Sequence, residues 1–344
     1  MNSTKTKGLS SVRTNNYMYN DSPLMGRRNT SKNTSVRQAD LMDVNIELAP
    51  MKFVALSTRS QQIREIIGDG ITSELKDYLA ENNNAKIINN IDEEGVSLLH
   101  LSARWDRAEM TQILIDHGAQ VDIRLKNRST PLHVAARFNC PAVADILLNS
   151  GANPSLVDSL NNNALHYAVR RRNKNMVDLL VRDTDIDINA KTQVGMTALH
   201  IVCTNGDLEI CRILLRHGAD IQAKTTDLNT PLHTAIFSCN THLAELLIKQ
   251  ASSQLINVEE FLNEPDLDQD RALHLAAETG NVKSVELCLE HGAHVNAQRT
   301  TLMTPLHIAS MKGDLEIVEM LCRKGADLHM KDNEKEDAIT QSSQ

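Results

Sequence analysis

Seven histidines recur at near-constant intervals: His100, His133, His166, His200, His233, His274 and His307, separated by 33, 33, 34, 33, 41 and 33 residues. Imidazole is the commonest metal ligand and general base, so the first question is whether these rings converge on a point. One ring per unit of a repeated chain makes a row, and a row cannot surround an ion. The chemistry expected of them is hydrogen bonding between units; no metal site, catalytic residue or cofactor is assigned. The six cysteines (Cys140, Cys203, Cys211, Cys239, Cys288, Cys322) show no C-x-x-C pairing and no short metal spacing, as expected of free thiols in a reducing cytosol. Asp266-x-Asp268-x-Asp270 begins like a calcium loop. Yet the glycine due at position six is Arg271, and position twelve is Ala277 rather than Glu. An acidic turn before a helix N-terminus is the reading that fits.

What must position the histidines is a repeated hexapeptide. Thr130-Pro131-Leu132-His133-Val134-Ala135 is matched in its T-P-L-H-x-A pattern by Thr230 to Ala235 and Thr304 to Ala309. Variants stand at Ser97-Leu98-Leu99-His100, Asn163-Ala164-Leu165-His166, Thr197-Ala198-Leu199-His200 and Arg271-Ala272-Leu273-His274. Thr130 suits a helix N-cap, and Pro131 suits the first helical position, where its missing N–H costs nothing. Leu132 and Ala135 share a face, the small alanine admitting a neighbouring helix. A second helix follows a short turn. In the last unit Ile317, Val318, Leu321 and Cys322 form its apolar stripe, and Gly325-Ala326 ends it; Gly118-Ala119, Gly151-Ala152, Gly218-Ala219 and Gly292-Ala293 do the same.

A period near 33 headed by T-P-L-H-x-A resembles the ankyrin-repeat family. The resemblance implies an all-α ankyrin-repeat solenoid of stacked helix-turn-helix pairs with short β-turn fingers, in which neighbours bury the faces that one pair cannot. The expected organisation is a disordered N-terminal tail over 1–58, a degenerate capping repeat over 59–90, seven repeats over 91–336 and a truncated end over 337–344. The tail carries eight Lys/Arg against four Asp/Glu, so +4 of charge stands against a net −8 for the whole chain and −12 falls on the rest. A net-acidic array argues against nucleic acid as a partner. There is no apolar run long enough to span a membrane and no signal-peptide stretch at the N-terminus. The N-x-S/T sequons at Asn2, Asn29 and Asn33 carry no meaning in a cytosolic chain, and Arg27-Arg28-Asn29-Thr30 is a short match to a basophilic kinase site.

Within that family the two residues after the last small residue of the first helix face the concave groove. Carried over, the first column reads Arg104, Arg137, Arg170, Thr204, Phe237, Glu278, Met311, and the second Trp105, Phe138, Arg171, Asn205, Ser238, Thr279, Lys312. Arg104, Trp105, Arg137, Phe138, Arg170 and Arg171 are therefore the expected protein-binding site, with Trp105 exposed and Arg172 and Lys174 extending the basic patch. Cations and aromatics are over-represented among binding hot spots, and arginine forks suit carboxylates. The expected occupant is an acidic, partly apolar protein segment.

Two irregularities narrow the resemblance. The third repeat is one residue long at Asp185-Ile186-Asp187-Ile188-Asn189. The fifth carries eight extra residues before Asp270-Arg271-Ala272-Leu273-His274-Leu275-Ala276. In this order they resemble the cytosolic N-terminal region of transient receptor potential A-type cation channels. That implies a cytoplasmic array at the inner face of the plasma membrane, contacting other subunits, with the six membrane helices and pore outside this chain. Some cysteines act as electrophile sensors in that family; here Cys140 and Cys239, in the turns between paired helices, are the two expected to be exposed. The alternative is a free-standing soluble adaptor. No phosphate loop or H-E-x-x-H occurs to suggest an enzyme.

Overall fold

Six of the seven signature segments start a helix by closing a capping box; at the remaining one Arg271 has no side-chain acceptor, and only its own N–H donates to His274 Nδ1, at 3.1 Å. In the computed structural model, which describes residues 58–81, 88–93, 95–182 and 184–338, the residue before each first helix is extended: Thr130 has φ −97° and ψ 169°, Thr230 φ −87° and ψ 166°. The Thr230 and Thr304 hydroxyls accept the backbone N–H of His233 and His307, 3.4 Å each. The histidine replies: the N-cap N–H donates to its Nδ1, at 3.2 Å for Ser97–His100 and 3.1 Å for Thr130–His133. Glutamate or glutamine usually makes that return bond. Here a ring does, and its second nitrogen reaches further.

The elements pair off in chain order. Helices α1 (Thr58–Asp69) and α2 (Thr72–Glu81) come first. Then follow α3 (Leu98–Arg104) with α4 (Ala108–Asp116), α5 (Pro131–Phe138) with α6 (Pro141–Asn149), and α7 (Ala164–Arg170) with α8 (Lys174–Arg182). Next are α9 (Ala198–Asn205) with α10 (Leu208–Arg216), and α11 (Pro231–Phe237) with α12 (Thr241–Ser253). After the short α13 (Val258–Asn263) stand α14 (Ala272–Thr279) with α15 (Val282–Glu290) and α16 (Pro305–Lys312) with α17 (Leu315–Arg323). First helices stack on first helices and second on second, so the core is a continuous strip: Leu132, Ala135, Leu165, Ala168, Leu199, Leu214 and Leu247 are each at most 1% exposed. Helices α4, α6, α10, α12 and α17 close in Schellman turns. At α4, Ala119 N–H donates to Leu114 O and Gly118 N–H to Ile115 O. Gly118 sits at φ +88°, where a Cβ would be strained.

Three ladders lock the register between pairs. Histidine Nδ1 accepts a backbone N–H, so the proton of the neutral ring is on Nε2. That Nε2–H donates to a carbonyl of the next unit: His100 to Ser129 (3.2 Å), His133 to Asn162 (3.0 Å), His166 to Ala190 (3.1 Å), His200 to Asn229 (3.0 Å) and His274 to Ala297 (3.0 Å). The structural role expected of the rings is thus observed at these five, while the buried His307 Nε2 meets no partner among the described residues. His233 faces the Glu264 and Asp270 carbonyls without closing a bond of good geometry. A second ladder uses asparagines that bracket the next Gly-turn: Asn263 Nδ2 donates to Gly292 O and its Oδ1 accepts His294 N–H, and Asn89, Asn189 and Asn296 repeat the pattern. The third joins finger to finger through the backbone, as in Thr226 N–H to Val194 O.

The eight-residue excess in the fifth repeat lengthens the outer layer. Helix α12 runs to 13 residues and α13 is added behind it, burying Phe261 and Leu262. Asn263 at the end of α13 returns the chain to register. The Asp266–Asp270 segment is an ordinary finger: Asp266 is buried and its Oδ1 accepts the N–H groups of Asp268 and Asp270. Among the described residues no group of His, Cys, Asp or Glu is arranged to hold a metal ion, and no helix is long and apolar enough to cross a membrane. The 1–58 tail reading, apart from Thr58, its sequons and kinase match, and residues 339–344 of the expected truncated end lie outside the described residues. Residues 332–337 form another finger, stitched to the previous one by Asn333 N–H to Thr301 O.

Candidate protein-binding groove

The groove residues stand at the C-terminal ends of the first helices, where the chain must turn into the second. Side chains there project from the stack, and basic ones complement the helix dipole; Arg104, Arg137 and Arg170 each occupy a last turn. The structure brings three of the six expected residues into one cluster. The Phe138 ring, 40% exposed, has the Arg104 guanidinium 5.5 Å and the Arg137 guanidinium 5.8 Å from its centroid. Two cations from adjacent repeats thus share one aromatic face set. Guanidinium stacked on a ring keeps its in-plane N–H fork as a carboxylate receptor, and the ring offers apolar area beside it.

The other three residues are placed differently. Arg170 lies 6.0 Å over the Tyr167 ring and donates to Asn162 Oδ1 at 3.4 Å. Arg171 is the exposed C-cap residue of α7. Trp105 is a correction: it is half-buried, not exposed. Its indole lies against α1, so close that a Cβ added at Gly68 would meet it at 3.5 Å. Beside it Arg107 donates to the Gly68 carbonyl at 2.8 Å. Trp105 therefore fastens the first helix pair to the stack. Nor do Arg172 and Lys174 simply extend a basic patch. Arg172 donates to the Asn205 carbonyl of the next repeat, and Lys174 pairs with Glu209 at 3.3 Å.

Sequence reasoning missed the support beneath the cluster. Tyr167 is buried, and its hydroxyl donates to Asp158 Oδ2 at 2.7 Å. Asp158, 1% exposed, also accepts from Leu160 N–H, Asn162 N–H and Asn162 Nδ2. Burial first, and then the Asp158 carboxylate, push the Tyr167 phenol up to about 12, so it stays a donor. The ring meets His133 edge-on at 5.9 Å. A signal was present: the residue after each signature histidine is Leu, Val, Ile or Thr elsewhere, and a tyrosine there needs a buried acceptor.

The cysteine expectation divides. Cys239 is exposed, whereas Cys140 is buried at 2% and its thiol is pushed up to about 12, by burial first and then by Asp106. Cys140 lies seven residues past its histidine, at the inward-facing N-cap of the second helix. Cys239 lies six past, at the outward left-handed turn position, φ +58°. Cys322, expected in the apolar stripe of α17, is exposed, while Ile317 and Leu321 are buried.

Comparison with known proteins follows the same geometry. A family model described as ankyrin repeats (3 copies) matches residues 68–158, 121–192, 165–260 and 251–332. The chain is 31% identical over 162 residues to a "Transient receptor potential cation channel subfamily A member 1 homolog" of Caenorhabditis elegans, covering 47% of this chain and 12% of that protein. To the Homo sapiens "Transient receptor potential cation channel subfamily A member 1" it is 28% identical over 223 residues, 65% of this chain and 17% of that one. It thus spans less than a fifth of either channel relative. A "Putative ankyrin repeat protein" of fowlpox virus is 31% identical over 147 residues, 42% of this chain and 96% of the viral protein.

Proposed function

The chain belongs to the ankyrin-repeat family, a protein-interaction fold, and on that premise we propose that its groove over the repeats of His100, His133 and His166 holds an acidic, partly apolar segment of a partner protein. The observation that carries this reading is the Arg104–Phe138–Arg137 cluster, 5.5 and 5.8 Å from ring to cations. Two guanidiniums on one half-exposed phenylalanine supply carboxylate donors and apolar area in one place. The positive spot lies on an array whose net charge is negative, so acidic segments are steered there. Arg170, braced by Tyr167 and Asn162, continues the row by one repeat.

The setting we propose is cytoplasmic, as the N-terminal array of a transient receptor potential A-type channel subunit, serving interaction and gating. The similarity to two such channels and the two length irregularities in the third and fifth repeats support it. A second reading, a free-standing adaptor, draws on the fowlpox protein, whose own length the chain nearly covers. Sequence downstream of Gln344 separates them: further repeats followed by six apolar segments are expected for the channel, and a stop without them sinks it. Binding itself is tested with the chain's one tryptophan, Trp105. A synthetic Glu- and Leu-rich peptide should shift its fluorescence saturably and less at high salt; an unchanged spectrum at saturating peptide refutes the groove assignment.

A further inference from the structure

The fingers of the fifth to seventh repeats carry leucines where neither burial nor backbone preference puts them. Leu228 and Leu302 are 38% and 43% exposed and sit at φ +60° and +59°. At the same left-handed position other fingers use Gly95, Arg128, Asn161, Gly195, Gln269 and Lys335. A bulky side chain is disfavoured in that conformation, and such outliers gather where a surface has a task. Leu267, 56% exposed, stands on the finger between them. The backbone stitches the three into one edge: Leu267 N–H donates to Asp227 O at 3.0 Å, beside Leu228, and Thr300 N–H donates to Asp268 O at 2.9 Å, two residues before Leu302. Asp227 and Asp268 thus stand beside the leucines along the ridge. The result is an acidic, apolar, protruding edge.

That is the chemistry the groove asks for. We infer that the ridge Asp227–Leu228–Leu267–Asp268–Leu302 of one copy seats in the Arg104–Arg137–Phe138–Arg170 groove of a second copy of this chain. This rests on the groove reading above and names one occupant for it. Charge complementarity argues for self-pairing, and so does pitch. Ridge and groove are both built from successive repeats, about 8–10 Å apart where helices pack. Asp227 and Asp268, on adjacent fingers, can therefore register with arginines on adjacent repeats. Both patches lie on one continuous stack at different repeats, so a molecule cannot fold its own ridge into its own groove. Two copies related by a twofold axis make the contact twice, each giving a ridge and receiving one.

Sedimentation of the full chain over a wide concentration range tests this. The wild type should associate, more weakly as salt rises. Leu228→Gly relieves the left-handed strain, so with Leu267→Ser it should leave a folded array that associates at least tenfold more weakly. Arg104→Gln with Arg137→Gln, or Phe138→Ser if that pair unfolds the chain, should do the same from the other side. Mixing folded ridge and groove variants should restore a 1:1 complex through the remaining intact contact. Leu315→Glu, on an exposed apolar site at the end of the stack, should leave association unchanged. A wild type that stays monomeric overturns the inference; if it still shifts Trp105 fluorescence with the Glu- and Leu-rich peptide, the groove reading survives alone, and if it does not, both fall. Association that persists in the ridge variant, that is lost in Leu315→Glu, or that mixing fails to restore also overturns self-pairing.

Discussion

Acid should dismantle this array through its histidine row. His100, His166, His200, His233 and His274 are each held down to about 4, burial being the main cause. Each folded value lies below the ordinary 6.5. The neutral ring therefore favours the folded state, fully so above about 6.5, and that contribution is lost as pH falls toward 4. The chemistry is visible in the bonds: a second proton on Nδ1 would turn the acceptor of the N-cap N–H into a donor facing a donor. Between pH 7.5 and pH 5 the linkage amounts to about 2 kcal/mol per ring, on the order of 10 kcal/mol for the five. A folded domain has roughly 5–15 kcal/mol in all. Urea midpoints followed by circular dichroism at pH 7.5, 6 and 5 should accordingly fall steeply. His200→Gln keeps a capping-box acceptor but does not titrate and cannot reach Asn229. It should be less stable at pH 7.5 and show about 2 kcal/mol less pH dependence. A midpoint flat between pH 6.5 and 4.5, or a His200→Gln slope equal to wild type, would refute the reasoning.

Other outcomes follow from burial. Leu214, 0% exposed, should cost about 2–5 kcal/mol when cut to alanine, and a change under about 0.5 kcal/mol in denaturant unfolding would mean its site is not packed. A thiol reagent on the native chain should label Cys239 and Cys322 quickly and spare Cys140, Cys203, Cys211 and Cys288; rapid native labelling of Cys140 would contradict its placement. Trp105→Ala should lower the melting temperature and raise hydrogen exchange in α1, since the indole rests against Gly68; unchanged exchange there would show the contact to be idle.

The repeats were legible because each carries its own punctuation. Threonine, proline, histidine and glycine mark where helices start and stop whatever the neighbours do, so the helix pairs and the histidine bonds could be read directly. What escaped depended on partners without a signature. Trp105 turns toward Gly68, in a first pair that lacks the hexapeptide, so nothing nearby announces the contact. Cys140 was legible in principle: counting from the histidine places it one step past the outward turn position, and only the general rule that turns are exposed misled. The helix inside the insertion of the fifth repeat was not legible because α13 is six residues long, too short for helical period to show. Arg104, Arg137 and Phe138 could be named as groove candidates because those positions follow from the repeat itself. Their convergence on one ring was not, since rotamers are set by the adjacent repeat.

Titration of the Glu- and Leu-rich peptide against wild type and Arg137→Ala/Phe138→Ala, with melting curves beside it, tests the central claim most directly. The double variant should bind weaker by roughly 2 kcal/mol or more, with a smaller salt dependence and a nearly unchanged melting temperature. Equal affinity in the two proteins would contradict a cation–aromatic groove as the binding face.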